Sequence, residues 1–301
     1  MNSRIRHTLF PILAAFIWGP AFVAQSVSAD SVGPFTFNML RAGIAAVVLV
    51  EILLIFQRVK RQPLRAIAPT GKDKRRLLIG GVCCGVALAI ASNFQQLGLG
   101  DTSAGKAGFI TALYIVLVPV LGLFLRKKVP LLVWGAVAVA VVGLYLLCVK
   151  EGFSIAPSDL YVLLCALVFA VHILVIDHFA PQVNGVALSC VQFVVVTVLS
   201  GVGALLTEEI VWANILHCLW PILYVGIFSS GVAYTLQILA QKDANPTVVS
   251  LLLSLESVFS VLAGAVLLHE TMSGREYLGC VLMLLAVVAV QLPAPKIKVK
   301  P

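Results

Sequence analysis

The sequence predicts an all-α polytopic membrane protein, and three observations lead to this fold class. First, 60% of the 301 residues are hydrophobic and only 11% are charged, whereas a soluble domain carries about 25% charged residues. Second, the apolar residues form blocks of about 20, the length that a helix needs to cross a hydrocarbon core. Third, these blocks are continuous, as in residues 131–149, which argues against the short alternating strands of a membrane β-barrel.

Ten transmembrane helices are expected in order along the chain. Their predicted bounds are residues 8–28, 34–57, 77–98, 104–125, 131–149, 158–177, 185–206, 220–241, 247–268 and 276–292. The first span follows Arg4 and Arg6 and imitates a secretory signal. Because Trp18-Gly19-Pro20 interrupts its apolar core and the segment is long enough to span, we expect it to stay as a membrane helix.

The distribution of basic residues predicts the orientation in the membrane. If the amino terminus is cytoplasmic, 17 of the 21 Lys and Arg residues lie in inner segments, and only Lys150 and Arg275 lie in outer loops. Since short basic loops stay on the cytoplasmic side, both termini are expected inside and the Glu208–Glu209 loop outside. The net charge of +8 therefore reflects membrane topology, and we expect no binding of nucleic acid.

No cofactor or metal site is predicted. Six of the seven cysteines fall inside apolar blocks, and none has the spacing of a CxxC or Cys/His ligand set. We interpret them as small buried side chains. The sequence also contains no P-loop, HExxH or GxSxG motif, so neither ATP hydrolysis nor peptidase chemistry has a basis. The oligomeric state is not predicted.

The chain divides into two similar halves, residues 8–149 and 158–292. A shift of 142 residues aligns Asp101 with Asp243 and Tyr114 with Glu256, and a larger shift aligns residues 15–18 with 166–169. Each half has five spans, and an odd number forces the second half to enter the membrane upside down. Inverted repeats of this kind are typical of secondary transporters whose binding site lies near the bilayer midplane.

Three stretches resemble the EamA branch of the drug/metabolite transporter superfamily. They are Ala14-Ala15-Phe16-Ile17-Trp18-Gly19-Pro20-Ala21-Phe22, the segment 97–119 with Gly108-Phe109-Ile110-Thr111-Ala112-Leu113-Tyr114, and Leu253-Ser254-Leu255-Glu256-Ser257-Val258, closing with Leu268-His269-Glu270. The resemblance extends from about residue 9 to 292. It implies two inverted five-helix bundles around a central cavity lined mainly by spans 1, 3, 4, 6, 8 and 9. It also implies export of small metabolites, such as amino acids or related compounds, across the inner membrane.

Glu256 is the leading candidate for a functional residue. It lies nine residues into its span, which places it about 14 Å deep at 1.5 Å per residue. Loss of water at this depth disfavours an ionised carboxylate, so Glu256 is expected to bind a proton, to pair with an amine of the substrate, or to serve as a structural acid held by a neighbouring helix. Tyr114, its aligned partner, is either a second group of the same site or an ordinary core tyrosine.

Four more polar or aromatic residues are candidates for substrate binding or coupling. Asn93 and Gln96 share one face of the third span, where their amides either bind a polar solute or join two helices. His172, in the sixth span, is either part of a proton relay or an interhelical hydrogen-bond partner. Trp18 either stacks on a ligand or packs in the core.

Other intramembrane residues are expected to be structural. Arg41 and Lys106 lie in the outer halves of their spans, so their long side chains are expected to snorkel to the surface. Gly81 and Gly85 form a small-xxx-small face, which predicts a close contact with another helix.

The partners expected from the sequence are a small-molecule substrate and the lipid bilayer, with proton coupling through Glu256. Two alternatives to a secondary transporter remain open at this point. One is a passive channel for small solutes. The other is an intramembrane enzyme, for which only Glu256 and His172 are available, and nothing in the sequence brings these two residues together.

Overall fold

The chain folds as a bundle of helices in the computed structural model, which describes residues 3–100, 104–127, 129–148, 156–242, 244–267 and 272–291. The α-helices are α1 Ser3–Ala29, α2 Pro34–Val59, α3 Gly71–Leu99, α4 Ala104–Ala112, α5 Tyr114–Phe124, α6 Leu131–Cys148, α7 Pro157–Phe179, α8 Gly185–Thr207, α9 Trp212–His217, α10 Leu219–Tyr224, α11 Tyr234–Gln241, α12 Pro246–Leu253, α13 Glu256–Leu267 and α14 Gly274–Gln291. A π-helical segment, Val225–Ala233, connects α10 to α11. No β-strand occurs among these residues. Some residues named above lie outside the described ranges, namely Asp101, Lys150, Asp243 and Leu268-His269-Glu270.

Nine helical segments of the described chain are long and apolar enough to cross a membrane. They coincide with nine of the predicted spans, and the predicted fifth span, residues 131–149, contains the shorter apolar helix Leu131–Leu147. Large apolar side chains such as Phe124 and Leu205 are exposed on the outside of the bundle, where lipid replaces water. The protein is therefore a multi-pass membrane protein.

The third helix begins earlier than predicted. It starts at Gly71 instead of residue 77, because Thr70 and Asp73 form a capping box in the basic loop. The Asp73 N–H donates to Thr70 Oγ1 at 3.1 Å, and the Thr70 N–H donates to Asp73 Oδ2 at 3.2 Å. This reciprocal pair satisfies backbone donors at the start of the helix, so the helix includes several polar residues.

Three of the predicted spans are interrupted, which the sequence analysis did not anticipate. The fourth span breaks at Leu113 between α4 and α5, and the ninth breaks at Ser254 and Leu255 between α12 and α13. At the second break the Ser254 hydroxyl donates to the carbonyl of Leu251 at 2.8 Å, and such side-chain bonds compete with the regular helix. The eighth span contains the π-helical segment.

Close packing of small residues joins α3 to α8. A Cβ atom added at Gly81 would lie 2.3 Å from Val191 Cγ1, and one added at Gly85 would lie 2.6 Å from Val195 Cβ. The close contact predicted from Gly81 and Gly85 is thus confirmed. The other main packing partners are α2 with α8, α6 with α14, α3 with α7, and α1 with α13 and the π-helical segment.

Charged groups also link elements of the bundle. Lys106 of α4 pairs with Asp159 of α7, and Lys127, just beyond α5, pairs with Asp177 near the other end of α7. The prediction that Lys106 snorkels is therefore wrong, because a carboxylate from α7 lies within reach of its ammonium group.

The amino terminus of α2 is capped by a residue distant in sequence. The backbone N–H groups of Phe35 and Thr36 each donate to a carboxylate oxygen of Glu208 at 2.8 Å. A carboxylate at this position satisfies orphan N–H groups and complements the helix dipole. It fixes the start of α2 to the end of α8.

Candidate functional site: a central polar cavity

A cavity lies at the centre of the bundle. It is lined by Trp18, Ala21, Phe22, Gln25, Arg41, Gln95, Thr111, Tyr114, Phe169, Ile173, Ser229, Tyr234, Gln237, Leu253 and Glu256. The lining combines aromatic rings with amides, hydroxyl groups, one guanidinium and one carboxyl group. A few polar groups placed in an otherwise apolar wall are typical of sites for small molecules.

The breaks in the fourth and ninth spans lie next to Tyr114 and Glu256, which contact each other. Each is the first residue after a break, Tyr114 in α5 and Glu256 in α13. The Tyr114 hydroxyl donates to Glu256 Oε1 at 2.9 Å, and both side chains are buried. No basic side chain of the described residues forms an ion pair with Glu256. The carboxyl group is thus held by a neutral donor and stays available to a proton or a ligand.

Trp18 is fixed in one orientation at the wall of the cavity. Its indole N–H donates to the carbonyl of Ser229, in the π-helical segment, at 3.1 Å. Its ring lies 4.7 Å from that of Tyr234, centroid to centroid. π-Helical segments within α-helices frequently occur at functional sites, and the segment Val225–Ala233 supplies the acceptor that orients Trp18.

Arg41 also lines the cavity, and the prediction that it snorkels to the surface is wrong. Its side chain is only 4% exposed, and Nη1 donates to Gln25 Oε1 of α1 at 2.9 Å. Gln25 is held in turn, because its side-chain Nε2 donates to the backbone carbonyl of Ala21 and its own backbone carbonyl accepts from Gln96 Nε2. The hydrogen bond to Gln25 holds the guanidinium toward the interior of the bundle, away from the membrane surface.

Three of the candidate residues from the sequence do not line the cavity, namely Asn93, Gln96 and His172. Asn93 accepts from Asn38 of α2 at 2.9 Å and donates to Ser200 of α8 at 2.9 Å. Gln96 donates to the backbone of α1. These amides join helices, the second of the two alternatives that the sequence left open.

His172 lies behind Tyr234, one of the aromatic residues that line the cavity. Its Nε2 is 3.2 Å from Gln192 Oε1 of α8, and its ring packs edge-on against Tyr234 at 6.0 Å. It contacts the cavity residue Tyr234 without lining the cavity itself.

Gln95 and Gln237 are cavity residues that the sequence analysis did not select. The 142-residue shift that aligns Tyr114 with Glu256 also aligns Gln95 with Gln237, and the larger shift aligns Trp18 with Phe169. All six residues line the cavity. The sequence signal that identifies these residues is a polar or aromatic side chain at both of two positions aligned between the halves.

The comparisons with known proteins extend over nearly the whole chain. The model of the EamA-like transporter family matches residues 7–149 and again 156–292. An uncharacterized transporter of Archaeoglobus fulgidus is 32% identical over 283 residues, covering 93% of this chain and 84% of that protein. An uncharacterized transporter of Synechocystis sp. is 26% identical over 309 residues, covering 95% and 90%.

One solved crystal structure supports the fold. It superimposes with a TM-score of 0.75 at 20% sequence identity and covers 94% of this chain and 96% of its own. At this identity the likeness concerns the fold alone. Because the family model accounts for both halves of the sequence, the chain belongs to the EamA-like transporter family.

Proposed function

We propose that the protein is a secondary transporter that exports small metabolites, such as amino acids or related compounds, across the inner membrane by alternating access. The observation that carries this proposal is the central cavity, where residues aligned between the two halves of the sequence face one another. Both termini are cytoplasmic in this proposal. The ten spans form two inverted five-helix repeats, as the repeated family match supports.

The packing of the bundle supports a twofold relation between the halves. Under that relation spans 2 and 7 exchange, as do spans 5 and 10, and their helices α2 with α8 and α6 with α14 pack together. The contact of α3 with α7 corresponds to the contact of the eighth span with α1. In the same way, the contact of α4 and α5 with α7 corresponds to the contact of α12 and α13 with α1. Each major contact thus has a related one.

The interrupted spans fit the same scheme. Discontinuous helices at the interface between repeats form the binding sites of many transporters, and the two repeats then rock about that site. Here the breaks precede Tyr114 and Glu256, which occupy aligned positions and contact each other. The position of the cavity beside these breaks supports alternating access.

Glu256 couples solute movement to protons in this proposal. The charged and titratable groups that share its cavity are Arg41, Tyr114 and Tyr234. A carboxyl group in a cavity that opens alternately to each side can take up a proton on one side and release it on the other. Proton movement then drives the solute against its gradient.

Transport by purified protein in proteoliposomes tests the proposal. Wild-type protein is expected to accumulate members of a panel of amino acids and nucleoside-type metabolites when a pH gradient is imposed. Glu256→Gln keeps the shape of the side chain and removes the proton site, so it should lose uphill transport and retain exchange down a solute gradient. Glu51→Gln is the matched control, because Glu51 lies on the exposed face of α2.

Other outcomes are informative. If Glu256 only pairs with the substrate, uphill transport and exchange should weaken together. Uphill transport by Glu256→Gln at the normal rate and with unchanged pH dependence would contradict the coupling role. If solute flux through the wild-type protein depends only on the gradient of the solute itself, the protein is a passive channel instead.

A further inference from the structure

The guanidinium of Arg41 is a buried charge without an acidic partner. It is 4% exposed, and the one hydrogen bond that it forms within the described part of the chain runs from Nη1 to the neutral amide of Gln25. A guanidinium has five N–H donors, so most of these donors have no hydrogen-bond acceptor among the described residues. No carboxylate of the described residues lies within ion-pair distance of Arg41.

Such an arrangement is unfavourable unless something else supplies the missing acceptors. Removing a charge from water is unfavourable when neither a counter-ion nor sufficient hydrogen bonds replace the water. Arg41 lies at the wall of the cavity, so its remaining donors can meet water in the empty cavity or an anion in the occupied one. Gln25, itself bonded to Ala21 and Gln96, holds the guanidinium in place for that contact.

We propose that Arg41 binds a carboxylate of the transported solute and thereby selects carboxylate-bearing metabolites. This inference rests on the proposed transport function and names the substrate class of the same cavity. The planar guanidinium matches a carboxylate through two parallel hydrogen bonds, which an ammonium group cannot reproduce. Arg41 is thus a specificity-determining residue contributed by the second span, which the family resemblance does not place among the main cavity-lining spans.

The charges of the cavity favour a monoanionic carboxylate over a phosphate ester. Of the described residues that line the cavity, Arg41 is the one basic residue and Glu256 is the one acid. A phosphate carries a charge of −1.5 to −2 near neutral pH, so a single guanidinium would leave part of it uncompensated beside Glu256. A carboxylate is neutralised by Arg41 alone.

Paired solutes in proteoliposomes test this assignment. The probes are radiolabelled amino acids, the corresponding amino-acid carboxamides, which lack the carboxylate, and glycerol phosphate. Wild-type protein is expected to exchange amino acids faster than carboxamides by about tenfold or more, the effect of charged hydrogen bonds. Arg41→Gln should lower amino-acid exchange by a similar factor and change carboxamide exchange by less than about twofold, so that the preference disappears.

Two further variants keep the result interpretable. Arg58→Gln removes one positive charge from an exposed position on the same helix and should retain the wild-type preference. Arg41→Lys keeps the charge but loses the planar fork, so it should reduce the preference several-fold even if Arg41→Gln fails to assemble. Size-exclusion profiles establish which variants are folded.

Several results would overturn the assignment while leaving the transport function intact. These are an undiminished preference in Arg41→Gln or, if that variant does not fold, in Arg41→Lys, and a wild-type preference for the carboxamides or for glycerol phosphate. If the wild-type protein moves no solute of any class, the proposed function fails, and the role of Arg41 fails with it.

Discussion

Replacing Gly85 with alanine tests whether the contact between α3 and α8 is as close as the structure shows. The added Cβ would lie 2.6 Å from Val195 Cβ and 2.8 Å from the backbone carbonyl oxygen of Gln192. Carbon atoms pack favourably at about 3.5–4.0 Å, so the two helices must separate by about 1 Å. A backbone oxygen cannot rotate away as a side chain can, and the strain must therefore spread along the interface.

The expected effect is a loss of stability of about 1–3 kcal/mol, the usual range for overpacking a close-packed interior. The midpoint of thermal unfolding in detergent should fall by several degrees. Gly135→Ala is the matched control, because a Cβ at Gly135 of α6 would meet no atom within 4 Å. Fluorescence-detected size-exclusion after heating measures both variants. Equal midpoints for Gly85→Ala and Gly135→Ala would refute the close approach of α3 and α8.

The remaining predictions concern the cavity, a helix cap and the topology. Tyr114→Phe and Tyr114→Ala should both reach the membrane. In proteoliposomes, Tyr114→Ala should impair transport more severely, because it removes part of the cavity wall as well as the hydrogen bond. Loss of both variants from the membrane would favour a packing role. Glu208→Ala should lower the unfolding free energy by about 0.5–2 kcal/mol through loss of the α2 cap, as read from thermal midpoints, and a change no larger than that of the exposed Glu209→Ala would contradict the capping role. In a cysteine-free background, Arg65→Cys should resist an impermeant thiol reagent in intact cells, and labelling from outside would overturn the orientation.

The sequence alone was sufficient for the class of fold and for most helix positions. In hydrocarbon every backbone N–H and C=O must be paired within the protein, so long apolar blocks become helices with little dependence on their neighbours. For the same reason nine predicted spans coincide with helices. The alignment of the two halves also paired Tyr114 with Glu256, and these residues form a hydrogen bond.

The sequence was less informative where a polar environment or a local bond changes a helix. The start of α3 at Gly71 depends on the capping box of Thr70 and Asp73, which lies in a loop that hydrophobicity cannot delimit. The breaks before Tyr114 and Glu256 lie within apolar segments that have the length and composition of a single span. A break of this kind changes only a few backbone hydrogen bonds, and amino-acid composition does not reveal such a change.

The tertiary structure decided which polar side chains line the cavity. Gln95 lines it while its neighbour Gln96 donates to α1, and Arg41 faces inward although its depth suggested the surface. Depth along a span can be counted from the sequence. The direction in which a side chain points depends on the rotation of each helix and on which helix covers it, and these are fixed by packing between residues far apart in the chain.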